Sequence, residues 1–256
     1  MKMGMQGAAL ATVCGSVVQT IILIAYILLG KTSLNITKPY RWFTAVKKIT
    51  VLGVGAGLPQ IAMAVVSFVI NNQIMKYSGA SALAVYGFLG TVSALFLSIF
   101  SGIGQAAQPI VSENYGAGQH KRYIEVGKTG MITAVIFGIV SVIICALFPS
   151  QMVSIFMKPT SAVEQIAPYI IRVCALSYFP MAINMFVMAY LQSVTKANGA
   201  TLISLLRGMI LPVVLIYAMP MVMNGNGIWW AITAAEGLTA VLAAMFMISE
   251  IRKNKR

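Results

Sequence analysis

Seven long apolar stretches separated by short polar breaks constrain this chain more than any other feature of it. They run over roughly 7–29, 49–75, 82–110, 126–149, 166–192, 200–219 and 226–249. A bilayer core takes about 20 apolar residues per helix, whereas a barrel strand takes about ten and alternates with period two. None of the seven alternates, so helices are predicted. The breaks carry turn-forming and polar residues, as in "KYSGAS", "ENYGAGQHKR", "SVTKANGA" and "NGNG". Only 9% of the 256 residues are charged, against about a quarter in a soluble domain. The expected fold class is an all-α integral membrane protein, a polytopic bundle of seven transmembrane helices.

A net charge of +13 suggests nucleic acid as a partner until the basic residues are located. When alternate loops are assigned to opposite sides, thirteen lysines and arginines collect on one side, from Lys31 to Arg256. Three (Lys2, Lys76 and Lys158) fall on the other, and Arg172 and Arg207 lie within apolar stretches. Basic residues accumulate on the cytoplasmic side. The C-terminus is therefore expected in the cytoplasm, nucleic acid drops out as a partner, and the lipid bilayer takes its place. Seven spans then put Met1 outside. That suits an internal methionine of a longer protein better than a signal anchor.

Polar residues recur along three of the apolar stretches. Thr91, Ser98, Ser101, Gln105, Gln108 and Ser112 share one helical face. Opposite them stand Phe96, Leu97, Phe100 and Ile103, which are expected to face lipid. Gln60, Ser67 and Asn71 form a second stripe, and Ser177, Met181, Asn184, Met188 and Gln192 a third. Hydrogen bonding between helices would account for any one of these groups. Three neutral stripes together suit the wall of a cavity for a weakly specified solute, with methionine adapting to varied apolar shapes. Pro59 and Pro109, lying beside two stripes, are candidate hinges.

Charge inside the spans is sparse. Glu236, in "WWAITAAEGLTAV", is a functional candidate because a carboxylate at that depth is costly, the alternatives being a structural partner for Arg207 or a protonated packing group. Arg207 and Arg172 are expected to snorkel to the membrane interfaces. Cys14, Cys145 and Cys174 have no metal-ligand spacing and read as free thiols packed among helices. "GVGAG" at 53–57 lacks the strand and the Lys-Ser/Thr of a phosphate loop. The single histidine, His120, reads as a solvated loop residue. With no aspartate, no HExxH and no GxSxG, no hydrolytic arrangement can be assembled, so no catalytic residue, metal site or enzyme is expected.

"GASALAVYGFLGTVSALFLSIFSGIGQAAQPIVSENYGAGQHKR" (79–122) resembles the hallmark stretch of the multidrug and toxic compound extrusion transporters. "LLRGMILPVVLIYAMP" and "NGNGIWWAITAAEG" are similar to the eleventh and twelfth helices of that family, and "GMQGAALATVCG" to its sixth. The resemblance implies one half of a twelve-helix, two-lobed transporter. Residues 1–30 would be a helix of a missing N-terminal lobe, 31–48 a basic cytoplasmic linker, and 49–256 a six-helix C-terminal lobe. The resemblance also implies export of cationic or amphipathic drugs across a bacterial inner membrane by proton or sodium antiport. The acids that some members carry in the seventh and tenth helices are absent. Ser67 stands in place of the first, so the coupling ion is expected in the missing lobe. Gln60, Ser67, Asn71, Gln105, Gln108, Met181, Asn184 and Met188 are the candidate cavity residues, with Glu236 the ion-coupling candidate within this chain. A lipid-linked saccharide flippase, or a relic lobe that does not transport, are the alternatives.

Overall fold

The computed structural model describes residues 4–29, 42–156 and 160–253. Side chains are described at most of these positions. Those of Pro59 and Gln60 lie outside the described residues, as does most of the expected linker 31–48, of which 42–48 is helical. The chain divides into two compact units, Met1–Val54 and Gly55–Arg256. The first contains α1 (Gly4–Leu28), an apolar helix exposed along almost its whole length from Val13 onward.

No strand occurs among the described residues. After α2 (Trp42–Gly116) come α3 (His120–Leu147), α4 (Pro149–Phe156), α5 (Ser161–Ala175), α6 (Tyr178–Ser193) and α7 (Ala197–Leu205). A π turn (Leu206–Ile210) then joins α7 to α8 (Leu211–Met223), and a 3-10 turn (Asn224–Asn226) leads into α9 (Gly227–Lys253). Met63–Gly116, His120–Leu147, Ser161–Ser193 and Asn198–Arg252 are long and apolar enough to cross a membrane, and Val13–Leu28 is a shorter apolar helix. By length and composition alone the count among the described residues is thus four. Seven counts the shorter helix Val13–Leu28 as well, and takes each side of the breaks at Gly79 and Asn224–Asn226 as a separate crossing.

The breaks have local causes. Gly79 sits at φ 76, ψ −174 inside α2, a conformation open essentially to glycine alone, and the helical run breaks there. α2 ends when Gly118 turns left-handed at φ 68. The Gln119 amide then donates to the Asn114 carbonyl at 2.8 Å and that of Gly118 to Tyr115 at 3.1 Å, a Schellman closure. α6 closes the same way, with Thr195 at φ 59 in the position glycine usually takes. Lys196 donates there to Leu191 at 2.9 Å.

Packing centres on α6. Tyr178, Phe186, Tyr190 and Leu191 are buried along it, and α3 lies closely against it. That approach depends on a row of small residues on α3: Gly127, Gly130, Ala134, Gly138 and Ser141, spaced to share one face. A Cβ on Gly138 would come within 3.2 Å of both the Ala182 Cβ and the Phe179 Cα. Ile132, Ile136, Ile139 and Ile143 point away from the bundle and are exposed, as a lipid-facing side requires.

The helix 80–116 reverses the expectation for its two faces. Phe100 is fully buried, and Phe96 stacks within the bundle at 4.8 Å from the Tyr178 ring. Thr91, Ala94, Ser98, Gln105 and Ser112 are exposed, and Ser101 and Gln108 are half-buried. The bulky side is core and the polar side is surface, because aromatic rings pack as readily against helices as against lipid.

Overpacking the α3–α6 seam should be costly. Gly138→Leu is expected to destabilise the purified chain by about 1–3 kcal/mol, with Ile143→Ala on the outer face near neutral. Thermal melting in detergent, followed by tryptophan fluorescence, checks this; equal melting temperatures for the two variants would show that the seam is not tight.

Candidate functional site

The π turn creates the most concentrated polar arrangement inside the bundle. The Leu211 amide donates to the Leu206 carbonyl, five residues back, and Pro212 next in line has no amide hydrogen to give. This wider turn carries Arg207. Its Nε donates to both oxygens of the Glu236 carboxylate, at 2.7 and 2.9 Å, and its Nη1 lies 3.1 Å from the Met185 sulfur. Asn184, fully buried on α6, donates from Nδ2 to Glu236 Oε2 at 2.8 Å and to the Glu236 backbone carbonyl at 3.1 Å. The ionic side chains keep 19% and 15% of their surface. One cation, one anion and one amide from three elements therefore converge. A carboxylate that would be prohibitive alone is neutralised and hydrogen-bonded. The Asn184 Oδ1 is buried without a hydrogen-bond partner.

Beside the pair lies a cavity of about 440 Å³. Ser67, Tyr86 and Ser93 from α2, Ser177 just before α6, Tyr178 and Met181 from α6, Ser204 from α7, Arg207 from the π turn and Glu236 from α9 contribute to its wall. The Ser93 and Tyr178 hydroxyls are 3.0 Å apart, bridging α2 and α6. Thr233 fixes α9 to α5 by donating to the Val173 carbonyl at 2.8 Å. The wall is thus rich in neutral hydroxyls, with an internally compensated charge at one point. It can accept and donate hydrogen bonds to a solute without imposing a net charge.

Of the residues singled out from sequence, the structure brings Ser67, Met181 and Glu236 to this cavity, with Asn184 directly behind the carboxylate. Asn71 and Met188 are half-buried elsewhere. Gln105 is exposed on the outer polar stripe. Gln108 donates to Gln192 Oε1 at 3.2 Å and joins α2 to α6. α2 keeps helical geometry through Pro109 and departs from it at Gly79. Pro59 and Gln60 have side chains outside the described residues.

Arg207 does not snorkel: the π turn aims it inward, where a carboxylate neutralises it at shorter reach than the interface offers. Arg172 is exposed at the far end of α5 and donates to the Ala146 carbonyl at 3.2 Å, near the end of α3. Cys145 and Cys174 are buried free thiols, but Cys14 is exposed. Among the described residues no three His, Cys, Asp or Glu side chains gather as a metal site would require. Sequence reasoning missed Tyr86, Ser93, Tyr178 and Ser204. The nearest signal was Ser93 itself, a hydroxyl in an apolar run but off the polar stripe.

Residues 56–218, more than half of the chain, match the MatE family model. The Multidrug export protein MepA of Staphylococcus saprophyticus is 28% identical over 254 residues, covering 96% of this chain and 54% of that protein. Its counterpart in Staphylococcus aureus strain MSSA476 is 27% identical over 250 residues, with the same coverage. The chain thus spans about half the length of the curated relatives it matches. Among solved structures, a MOP superfamily transporter from Pyrococcus furiosus superposes with a TM-score of 0.80 at 21% identity. An outward-facing multidrug resistance MATE family transporter gives 0.79 at 20% identity. Each match covers 100% of this chain and 58% of the other. At such identities the likeness is one of fold. The family match and the apolar helices together make this a multi-pass membrane protein.

The ion pair is open to a double-mutant test. Arg207→Met and Glu236→Leu should each cost about 1–3 kcal/mol of stability, since each strands a partly buried charge. The double variant should lose clearly less than the sum of the two. Strict additivity of melting shifts would show that the two side chains do not depend on each other.

Proposed function

The chain belongs to the MatE family, and from that premise we propose that it supplies the C-terminal lobe of a multidrug exporter coupled to proton or sodium antiport. The carrying observation is the neutral polar stripe Thr91–Ser98–Gln105–Ser112, exposed along a helix otherwise built for an apolar setting. Hydrocarbon rejects such groups, so the stripe calls for a wet cleft or a facing protein surface. A second lobe, across a cleft that opens alternately to either side, meets that requirement. The relatives have length to spare for such a lobe beyond the part this chain matches.

In this reading residues 1–30 belong to the N-terminal lobe, 31–48 link the lobes in the cytoplasm, and 49–256 form the C-terminal lobe in a bacterial inner membrane, with a cytoplasmic C-terminus. Ser67 and Met181 contribute to the substrate path, and cationic or amphipathic drugs are the solutes. Gln105 faces the cleft. Gln60, Asn71, Gln108 and Met188 border it, and Pro59 and Pro109 allow its helices to bend. Asn184 holds Glu236 in place. Because Glu236 is already neutralised by Arg207, ion coupling is assigned to the N-terminal lobe. The cancellation of the partly buried Arg207 also argues against a flippase, whose anionic cargo would need net positive charge.

The test is dye efflux from drug-sensitive bacteria expressing the natural gene product that contains this chain. Efflux should collapse when the proton or sodium gradient is dissipated. Met181→Ala and Ser67→Leu should alter the relative efflux of small and large dyes several-fold at equal protein level. Gradient-independent efflux would sink the antiport reading, and identical profiles would return both residues to packing.

A further inference from the structure

A groove of about 850 Å³ lies between the end of α2 and the start of α3, separate from the cavity beside Glu236. On α2 its wall is apolar, with Ile103, Ala106, Ala107 and Ile110; on α3 Val126 is followed by Thr129 and Thr133, whose hydroxyl is taken up by the Thr129 carbonyl at 2.9 Å. From Asn114 at the mouth to Ile103 is eleven residues, about 16 Å of helix. The charged side chains lining it are Arg122 and Glu125, both exposed and both at the mouth. They stand three residues apart on one helix, yet they do not pair. Arg122 Nη1 donates to Gln119 Oε1 at 3.1 Å, and the ion pairs among the described residues are Lys196–Glu250 and Arg207–Glu236. Asn114 Nδ2 is taken up by the Ile110 carbonyl at 2.7 Å.

One cation and one anion, unpaired, at the polar end of an apolar groove complement a zwitterion with a hydrocarbon tail. We propose that this groove is a phospholipid site selective for a phosphoethanolamine headgroup. Arg122 takes the phosphate, Glu125 accepts hydrogen bonds from the primary ammonium, and one acyl chain lies along Ile103, Ala106 and Ile110. The two-carbon bridge between phosphate and ammonium matches the separation of neighbours three residues apart on a helix, about 5–6 Å between Cβ atoms. A choline head cannot donate to Glu125, and a glycerol head brings no cation to it. Glu113, Lys121 and Lys128 are also exposed nearby but do not line the groove. The inference rests on the multi-pass reading and not on export, so failure of transport would leave it standing.

The test uses the purified chain, stripped of lipid in detergent and given dioleoyl phosphatidylethanolamine, phosphatidylcholine or phosphatidylglycerol. Retained lipid is then counted by native mass spectrometry. The ethanolamine lipid should be held roughly tenfold more tightly than the other two, the worth of one charge-assisted hydrogen bond. Glu125→Gln should erase its advantage over choline, Arg122→Gln should weaken all three, and Ala106→Phe should displace the acyl chain and lower retention. All three side chains are exposed, and melting without lipid verifies that each variant folds. Equal retention of the three lipids by the unmodified chain overturns the proposal without any variant. So does undiminished retention in Ala106→Phe, or a concentration-dependent dimer that seals the groove and excludes lipid.

Discussion

A carboxylate inside an apolar bundle must find a partner or lose its charge, and much of the arrangement around Glu236 follows from that constraint. Arg207 supplies the opposite charge, which requires the chain to widen into a π turn just before Pro212. Asn184 supplies a second donor from the most buried helix, which requires α6 to stay close to α9. The three groups tie together elements far apart in sequence. Replacing them with apolar residues of similar volume could pack equally well. Their contribution is therefore to position: they set which face of the π turn and which side of α9 meet the cavity.

The α3–α6 seam is the complementary, apolar part of the design. In lipid there is little hydrophobic drive to bring helices together, so close approach has to come from small residues and dispersion. Gly127, Gly130 and Gly138 allow the Tyr190, Phe186 and Phe179 region of α6 to come in without spacers. Rings from α2, α3 and α6 then fill the centre, with Tyr123 5.3 Å from Tyr115 and 6.5 Å from Tyr190. A rigid core of this kind suits a lobe that moves as a body.

The helical, membrane-embedded class was legible because apolar length and the absence of period two leave few other folds. The break at Gly79 was legible from "KYSGAS", and the common inward side of Asn184 and Met181 from their shared helical face. Which face of 80–116 turns inward was not legible. Periodicity separates the two faces, but phenylalanine and leucine suit lipid and core equally. The Arg207–Glu236 pair was legible only as one alternative, because separation in sequence and the π turn left open which way the arginine turns. The arginine's depth from the nearest loop pointed to the interface, while the extra residue in the turn rotates it toward α9. Ser93 and Tyr178 bond across helices, a pairing that no single-helix pattern reveals.

Compensation at Glu236 also bears on membrane voltage. A unit charge carried across the full field gains or loses about 2.3 kcal/mol per 100 mV. Arg207 and Glu236 are joined at 2.7 Å, so any movement of the surrounding helices as a body carries them together as a neutral dipole. That pair contributes almost no gating charge. In the proposed exporter the electrical work of a cycle would then fall on the solute and the exchanged ion, and a cationic solute leaving a negative interior would oppose the field on its own account.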